Sequence, residues 1–504
     1  MMHLPIFPIL LPLLVGVVML LPPLSRSRNA TRVIAVLSLL GQLALALWLG
    51  HAVNENGILH YALGDWQAPF GIALMVDKLS VLMLVVTAVL ALGALLFSLG
   101  GSDGEGSFFH PLFQWQLLGL NGAFLTGDLF NLFVFFEVLL MASYGLMMHG
   151  DNRQRTRAAL HYVILNLAGS SLFLFALGTL YASLGTLNMA DMAAKIAELP
   201  QSNLPLVHTG GLLLMIVFAL KAAVLPLHFW LPRTYSEAPA AVAALFAIMT
   251  KVGIYSLLRV FSLLFGNEAG PLAGIETPWL WPLALLTMAA GAIGALTSNN
   301  LRRLNAHLIV MSVGTILAVI SRQSIESTSA ALVYLVHSTL ISGGLFLLAA
   351  LIAEQRGRSG DQFVAGRPTA QPRLLGSLFI IGAMAMVGIP PFSGFVGKVL
   401  MMMSTREQGL DTALLWSTLL GASLVILVAL SRAGSTLFWR VNSDKPAGHS
   451  AALPLLGVLV LLAAAPLITL FAGELHAYTN AIAQQLAQPQ DYMRALLSDQ
   501  GVTP

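Results

Sequence analysis

Cysteine is absent from all 504 residues, which excludes disulfides, thiolate metal sites and cysteine-ligated iron–sulfur clusters. Charge is scarce as well. The 25 Lys or Arg and 22 Asp or Glu make up 9% of the chain, against about 25% in ordinary soluble domains. A soluble protein of this size would need far more charge on its surface. No basic run suggests nucleic acid, and no His or carboxylate cluster has metal-ligand spacing. Walker-type loops, dinucleotide fingerprints and nucleophile elbows are missing too. What the chain has instead is 57% hydrophobic residues, which places it in a lipid bilayer.

Apolar runs fall at about 3–21, 31–50, 79–99, 111–126, 129–148, 158–182, 205–231, 239–264, 279–297, 304–321, 328–353, 374–403, 412–438 and 451–472. A spanning helix takes about 20 residues, so the pattern predicts an all-α polytopic membrane protein of about fourteen transmembrane helices. Strands are not expected in these long, unalternating runs, because lipid demands an internally satisfied backbone. The first run has no preceding Lys or Arg and no following cleavage site, so it reads as a retained helix rather than a signal peptide. Basic residues recur in alternate loops: Arg26, Arg28 and Arg32, then Arg153, Arg155 and Arg157, then Arg233, then Arg302 and Arg303, then Arg356, Arg358, Arg367 and Arg373, and finally Arg440 and Lys445. By the positive-inside rule these loops face the cytoplasm, and both termini lie outside. In a bacterium that means the inner membrane with periplasmic termini. The intervening loops are nearly free of base, with Lys78, Lys195, Arg322 and Arg406 the main exceptions, and the loop from Gly100 to His110, expected on the cytoplasmic side, carries Asp103 and Glu105 without Lys or Arg. Leu187 to Leu199 is mildly amphipathic and is expected along the outer face. The tail from Glu474 to Pro504 is expected to add no further span or soluble domain.

Two spans are interrupted at comparable places, by Lys221-Ala-Ala-Val-Leu-Pro226-Leu-His228-Phe-Trp-Leu-Pro232 and by Gly388-Ile-Pro390-Pro391-Phe-Ser-Gly394-Phe-Val-Gly-Lys398. They fall in two five-helix blocks, spans 4–8 and 9–13. Five is odd, so the second block would lie inverted, and inverted repeats with matched broken helices point to an ion or substrate pathway. Plain proline kinks are the alternative for either break alone. The expected division is residues 1–105 for the first three spans, 106–265 for the first repeat, 266–440 for the second, and 441–504 for the last span and tail.

Only six residues are lysine, and three of them, Lys221, Lys251 and Lys398, fall well inside spans. Glu137 is the sole acid to do so. Arg259 and Arg432 are near enough to helix ends to snorkel. A buried lysine can release its proton, whereas arginine effectively cannot, so this segregation suits a proton path. Intramembrane ionisable groups are costly, which makes function the default reading. Glu137 and Lys221 are expected to pair; a static pair fixing helix packing is the alternative. Lys251 has no acid nearby in its own helix and reads as a proton carrier. For Lys398 the alternative is a side chain reaching to the membrane surface. His337 is placed to pass protons between lysines, and His228 sits in the first break; a packing role is the alternative for each. His307, His149 and His161 read as interfacial.

These residues resemble a known family: the proton-translocating antiporter-like membrane subunits shared by Mrp-type (Pha, Sha) cation/proton antiporters and respiratory complex I. The likeness rests on Phe133 to Tyr144, on Lys221 to Lys251 with Pro226-Leu-His-Phe-Trp-Leu-Pro232 and Glu237-Ala-Pro239, and on Gly388 to Lys398. It implies that Glu137 and Lys221 are the family's Glu/Lys pair, Lys251 its central lysine, Lys398 its terminal lysine and His337 the histidine of the eleventh span. Many members carry histidine where Ser312 stands, and often lysine at or beside Ser342, so the second half departs from the pattern there. Within the family the chain is similar to the D subunit of Mrp/Pha-type antiporters, with a proton-pumping complex I subunit as the alternative. The resemblance implies a transporter subunit without a redox centre or cofactor of its own, working beside other subunits on protons and Na+ or K+. A membrane scaffold whose charges only lock helices together is the reading from a different class.

Overall fold

The computed structural model describes residues 3–150, 152–406, 409–442, 445 and 448–497. The chain is built almost wholly from helices. In its first half these are α1 (Phe7–Leu20), α2 (Arg28–Asn56), α3 (Lys78–Ser98), α4 (Phe109–Leu125), α5 (Leu129–Met147), α6 (Arg153–Leu184), the short α7 (Met189–Ala197), α8 (Leu204–Ala222), α9 (Trp230–Glu237), α10 (Ala240–Phe246) and α11 (Met249–Leu264). The second half holds α12 (Thr277–Thr297), α13 (Leu301–Ile320), α14 (Ile325–Arg356), α15 (Pro372–Val387), α16 (Ser393–Ser404), α17 (Gly409–Trp439), α18 (Ala452–Leu462), α19 (Ala464–Leu470), α20 (Ala472–Leu486) and α21 (Pro489–Leu497). Among the described residues, eleven helical segments are long and apolar enough to cross a membrane. Leu4–Leu20, Pro372–Val387 and Ser393–Ser404 are shorter apolar helices.

Polar caps start many of these helices where the apolar runs begin. Ser27, Asp128, Asn152, Asn188 and Asn300 each accept a backbone N–H of the first turn of α2, α5, α6, α7 and α13. Asp77 with Ser80 and Ser324 with Ser327 form reciprocal capping boxes at α3 and α14. Such caps satisfy donors that a helix leaves open at its N-terminus.

One segment departs from the all-helical expectation. Between α2 and α3, β1 (Leu59–Ala62) and β2 (Ala73–Val76) form an antiparallel hairpin with Leu59 opposite Val76. It lies outside the apolar runs, at a bundle end, where a short ladder escapes the demand that excludes open sheets from lipid.

The two ends of the bundle are distinct. At one, the N-terminal turn packs on β1 and β2, and α21 packs on β1 and α7, so the described terminal segments share an end. At the other, Asp103 accepts hydrogen bonds from Arg28 and Arg32 of α2 and contacts His110 of α4. Burial alone would raise the Asp103 carboxyl, but hydrogen bonds from Arg32, Arg28 and His110 outweigh it and hold the group well below the usual carboxylate range. The tail does not hang free: α20 packs along α14, and Thr479 meets Ser329 at 2.9 Å. Residues 498–504 of the expected tail lie outside the described residues.

Helices α10, α11, α13 and α14 are buried along nearly their whole length, whereas α2, α6 and α17 expose apolar faces. The central helices are the ones that carry Lys251, Ser312 and His337.

Candidate ion-translocation site

Helix α8 stops at Ala222 because Ala223 takes a left-handed conformation, φ 61°, which β-carbon crowding disfavours. The backbone released there finds side-chain partners. Leu225 N–H donates to Thr287 Oγ1 at 2.9 Å, and Trp230 Nε1 donates to the Leu220 carbonyl at 3.1 Å. This is how a broken helix is tolerated at membrane depth. Lys221, in the last turn, is buried. Its Nζ donates to Asn166 Oδ1 at 3.3 Å and lies 5.7 Å from the centre of the Phe136 ring.

Glu137 and Lys221 do not form the direct pair expected from the sequence; among the described residues no ion pair joins them. Glu137 instead accepts a hydrogen bond from Ser170 Oγ. Ser170 stands one turn beyond Asn166 on α6, so the two residues share a face and hold the carboxylate and the ammonium separately. The two charges remain within electrostatic reach of each other. Neutral polar residues inside α6 had given no signal in the sequence, because a lone Asn or Ser in an apolar run is usually a packing detail.

Lys251, near the start of α11, is 0% exposed, and its Nζ donates to Ser312 Oγ of α13 at 3.3 Å. Ser312, where the resemblance leads to an expectation of histidine, is therefore the partner of Lys251. His337 of α14 is also 0% exposed; its Nδ1 meets Ser393 Oγ at 2.8 Å. Its Nε2 is buried without a hydrogen-bond partner among the described residues. His337 lies within electrostatic reach of both Lys251 and Lys398.

The second break begins at Gly388, φ 87°, a conformation that suits glycine. Lys398 fills the space behind it. A β-carbon at Gly388 would come within 2.8 Å of Lys398 Cδ. Its Nζ donates to the Val387 carbonyl and to Ser423 Oγ, both at 2.7 Å. Lys398 thus sits at the carbonyl end of α15, where a helix dipole favours a cation, and does not reach for the surface. His228 lies within electrostatic reach of His307 of α13, and each has a buried Nδ1 without a partner among the described residues.

Arg259 corrects another expectation. It does not snorkel but is buried against Asp77, Nη2 to Oδ2 at 2.5 Å, with its guanidinium over the Tyr255 and Tyr492 rings. Asp77 is a helix cap 182 residues away, a contact that local sequence cannot reveal. Arg432 is exposed and donates to the Ser298 carbonyl at 2.8 Å. Ser342, also noted in the sequence, has a buried Oγ with no partner among the described residues.

Chemically, the arrangement is a series of titratable groups, each held by a neutral hydroxyl, amide or carbonyl. Glu137 and Lys221 lie within electrostatic reach of each other, and His337 within reach of Lys251 and Lys398. Residues 126–424 match the family model described as the NADH:quinone oxidoreductase/Mrp antiporter transmembrane region. The chain is 38% identical to the D subunit of a probable K+/H+ antiporter from Rhizobium meliloti, covering 98% of each protein. It is 33% identical to the D subunit of the Na+/H+ antiporter from Alkalihalophilus pseudofirmus, over 99% of this chain and 100% of that one. Among solved structures it superposes with TM-score 0.87 on a chain of the Mrp complex from Dietzia sp., at 26% identity, covering 98% of this chain and 99% of that chain.

Proposed function

The chain belongs to the NADH:quinone oxidoreductase/Mrp antiporter transmembrane family, and we propose that it is the proton-translocating D-type subunit of a multisubunit monovalent cation/proton antiporter in a bacterial inner membrane. The observation that carries this reading is the buried series itself. Lys221, Lys251 and Lys398 have no carboxylate in hydrogen-bond contact among the described residues, yet each has a neutral acceptor. A structural cation in a dry interior needs a counter-ion. A lysine that alternates between charged and neutral forms is served better by a hydroxyl or amide. Near-full-length similarity to subunits named for antiport supports this role over that of a respiratory pump subunit.

In this reading protons pass among Glu137, Lys221, Lys251, His337 and Lys398, and His228 with His307 serves an approach from the Arg-rich end. The matched breaks at Pro226 and Pro390 support two inverted five-helix halves within a fourteen-span bundle. Glu137 supports a partner subunit. It is half-buried on a stripe of α5 where Phe130 is 48%, Val134 38% and Met141 68% exposed. A carboxylate facing lipid is costly, and a neighbouring subunit would cover it and receive its proton.

The test is to replace Glu137, Lys221 or Lys251 by Ala, one at a time, in the assembled complex. Each variant should lose proton-coupled cation flux in vesicles while membrane levels and assembly stay near normal. Loss of assembly with flux per assembled complex unchanged would instead establish a scaffold.

A further inference from the structure

A cavity of about 350 Å³ opens at the bundle end that carries the described terminal segments, between α11, α12, the α13–α14 junction and α20. Eight of its lining residues offer side-chain oxygens, among them Glu276, Ser321, Gln323, Ser324 and Thr328, and among the described residues no Lys, Arg or His lines it. Glu276 is 8% exposed. Its Oε1 accepts from Gln323 Nε2 at 2.9 Å, whereas its Oε2 is buried with no hydrogen-bond partner among the described residues. Gln323 holds this position from a left-handed backbone, φ 53°, and also donates to Thr277 Oγ1 at 2.9 Å.

An unpartnered carboxylate oxygen in a buried setting is costly unless something positive meets it. The bases that adjoin lining residues in the chain, Arg322 beside Gln323 and Arg259 beside Leu258, are engaged elsewhere: Arg322 pairs with Asp411 and stacks on Trp281, and Arg259 pairs with Asp77. We propose that this cavity is a binding site for a hard monovalent cation of the Na+ or K+ class, with the Glu276 carboxylate as its charged ligand. Oxygen donors suit hard cations. A single buried carboxylate balances one positive charge. The other lining acid, Glu268, is exposed and already accepts from Gln490, so the site lacks the carboxylates a divalent ion would require. The volume admits the ion with several waters, each needing about 30 Å³. Burial also pushes the Glu276 carboxyl up from its ordinary value, so its ionised form gains from an adjacent cation.

The site deepens the antiport reading, since it gives this subunit a place where the exchanged cation waits, but its test does not depend on transport. Radioactive sodium or rubidium is bound at equilibrium to the purified complex, with and without Glu276→Gln, which keeps the side-chain volume and removes the charge. Saturable binding of at least one ion to the parent is expected to weaken about tenfold or more in the variant, or about 1.4 kcal/mol. Thr328→Val, which leaves the Glu276–Gln323 bond in place, should weaken it severalfold and serves if Glu276→Gln fails to assemble. Lys251→Ala should bind the ion as the parent does while losing exchange, so a failed relay and a failed site give different results. Unchanged binding in either cavity variant, or no saturable binding to the parent, overturns the proposal.

Discussion

At Lys251 the choice between lysine and arginine has a chemical consequence. The ammonium meets one hydroxyl, Ser312 Oγ, in a fully buried setting. An ammonium in such a place can give up its proton and stay as a neutral amine, whereas a guanidinium holds its charge throughout. Lys251→Arg therefore keeps the positive charge and removes the ability to unload it. The expected outcome is loss of proton-coupled flux to near background, with assembly retained, measured in vesicles against the parent. Near-normal exchange would mean that a fixed charge suffices at this position. The same reasoning separates Lys251 from Arg259, whose ion pair with Asp77 marks a permanent charge. The sequence alone assigned these two residues different chemistry from their type, but it misplaced Arg259 at the surface because the paired Asp77 belongs to another helix.

Among the elements, the loop before α4 clasps α2 through one carboxylate. Asp103 receives Arg32 at 2.7 Å from both Nε and Nη2, and Arg28 at 2.8 Å. Arg28 is half-exposed, so solvent screens part of its share, and Asp103→Asn should cost about 2 kcal/mol at neutral pH. Because the folded carboxyl titrates lower than the unfolded one, its contribution is complete above the unfolded value of about 3.9 and is lost as pH falls through the folded value. The stability gap between parent and variant, read by thermal unfolding of the detergent-solubilised complex, should begin to narrow below about pH 4. A gap that widens with acid would contradict the assigned charge state. Elements of this kind also show where sequence reading stops. Long apolar runs and the Pro226 and Pro390 interruptions mark helices and breaks, because lipid leaves the backbone few options. The β1–β2 hairpin and the docking of α20 escape such reading, since they form outside the apolar runs and depend on partners far away in the chain. The helix bearing Asn166 and Ser170 was legible, whereas their service to Lys221 and Glu137 was not, because that depends on which face of α6 meets α5 and α8.

For the whole molecule, arginine gathers mainly at one end, although Lys195 and Arg322 pair with Asp191 and Asp411 at the other. Arg28, Arg32 and Arg155 gather with Asp103 and Glu105 at the end opposite the described terminal segments. Arg302 pairs with Asp361, and Arg356 donates to the carbonyls of Gly360, Gln362 and Val364. The terminus-bearing end instead holds the hairpin, α7, α21 and the Glu276 cavity. Loops rich in arginine are retained on the cytoplasmic side during insertion. The end that carries the described terminal segments should then face the periplasm, which requires an even number of crossings and agrees with fourteen. A reporter active only in the periplasm, fused after the tail, should give signal, and the same reporter placed in the loop between α14 and α15 should be silent. Signal from the α14–α15 loop with silence at the tail would invert the molecule. It would also move the Glu276 cavity to the cytoplasmic side of the membrane.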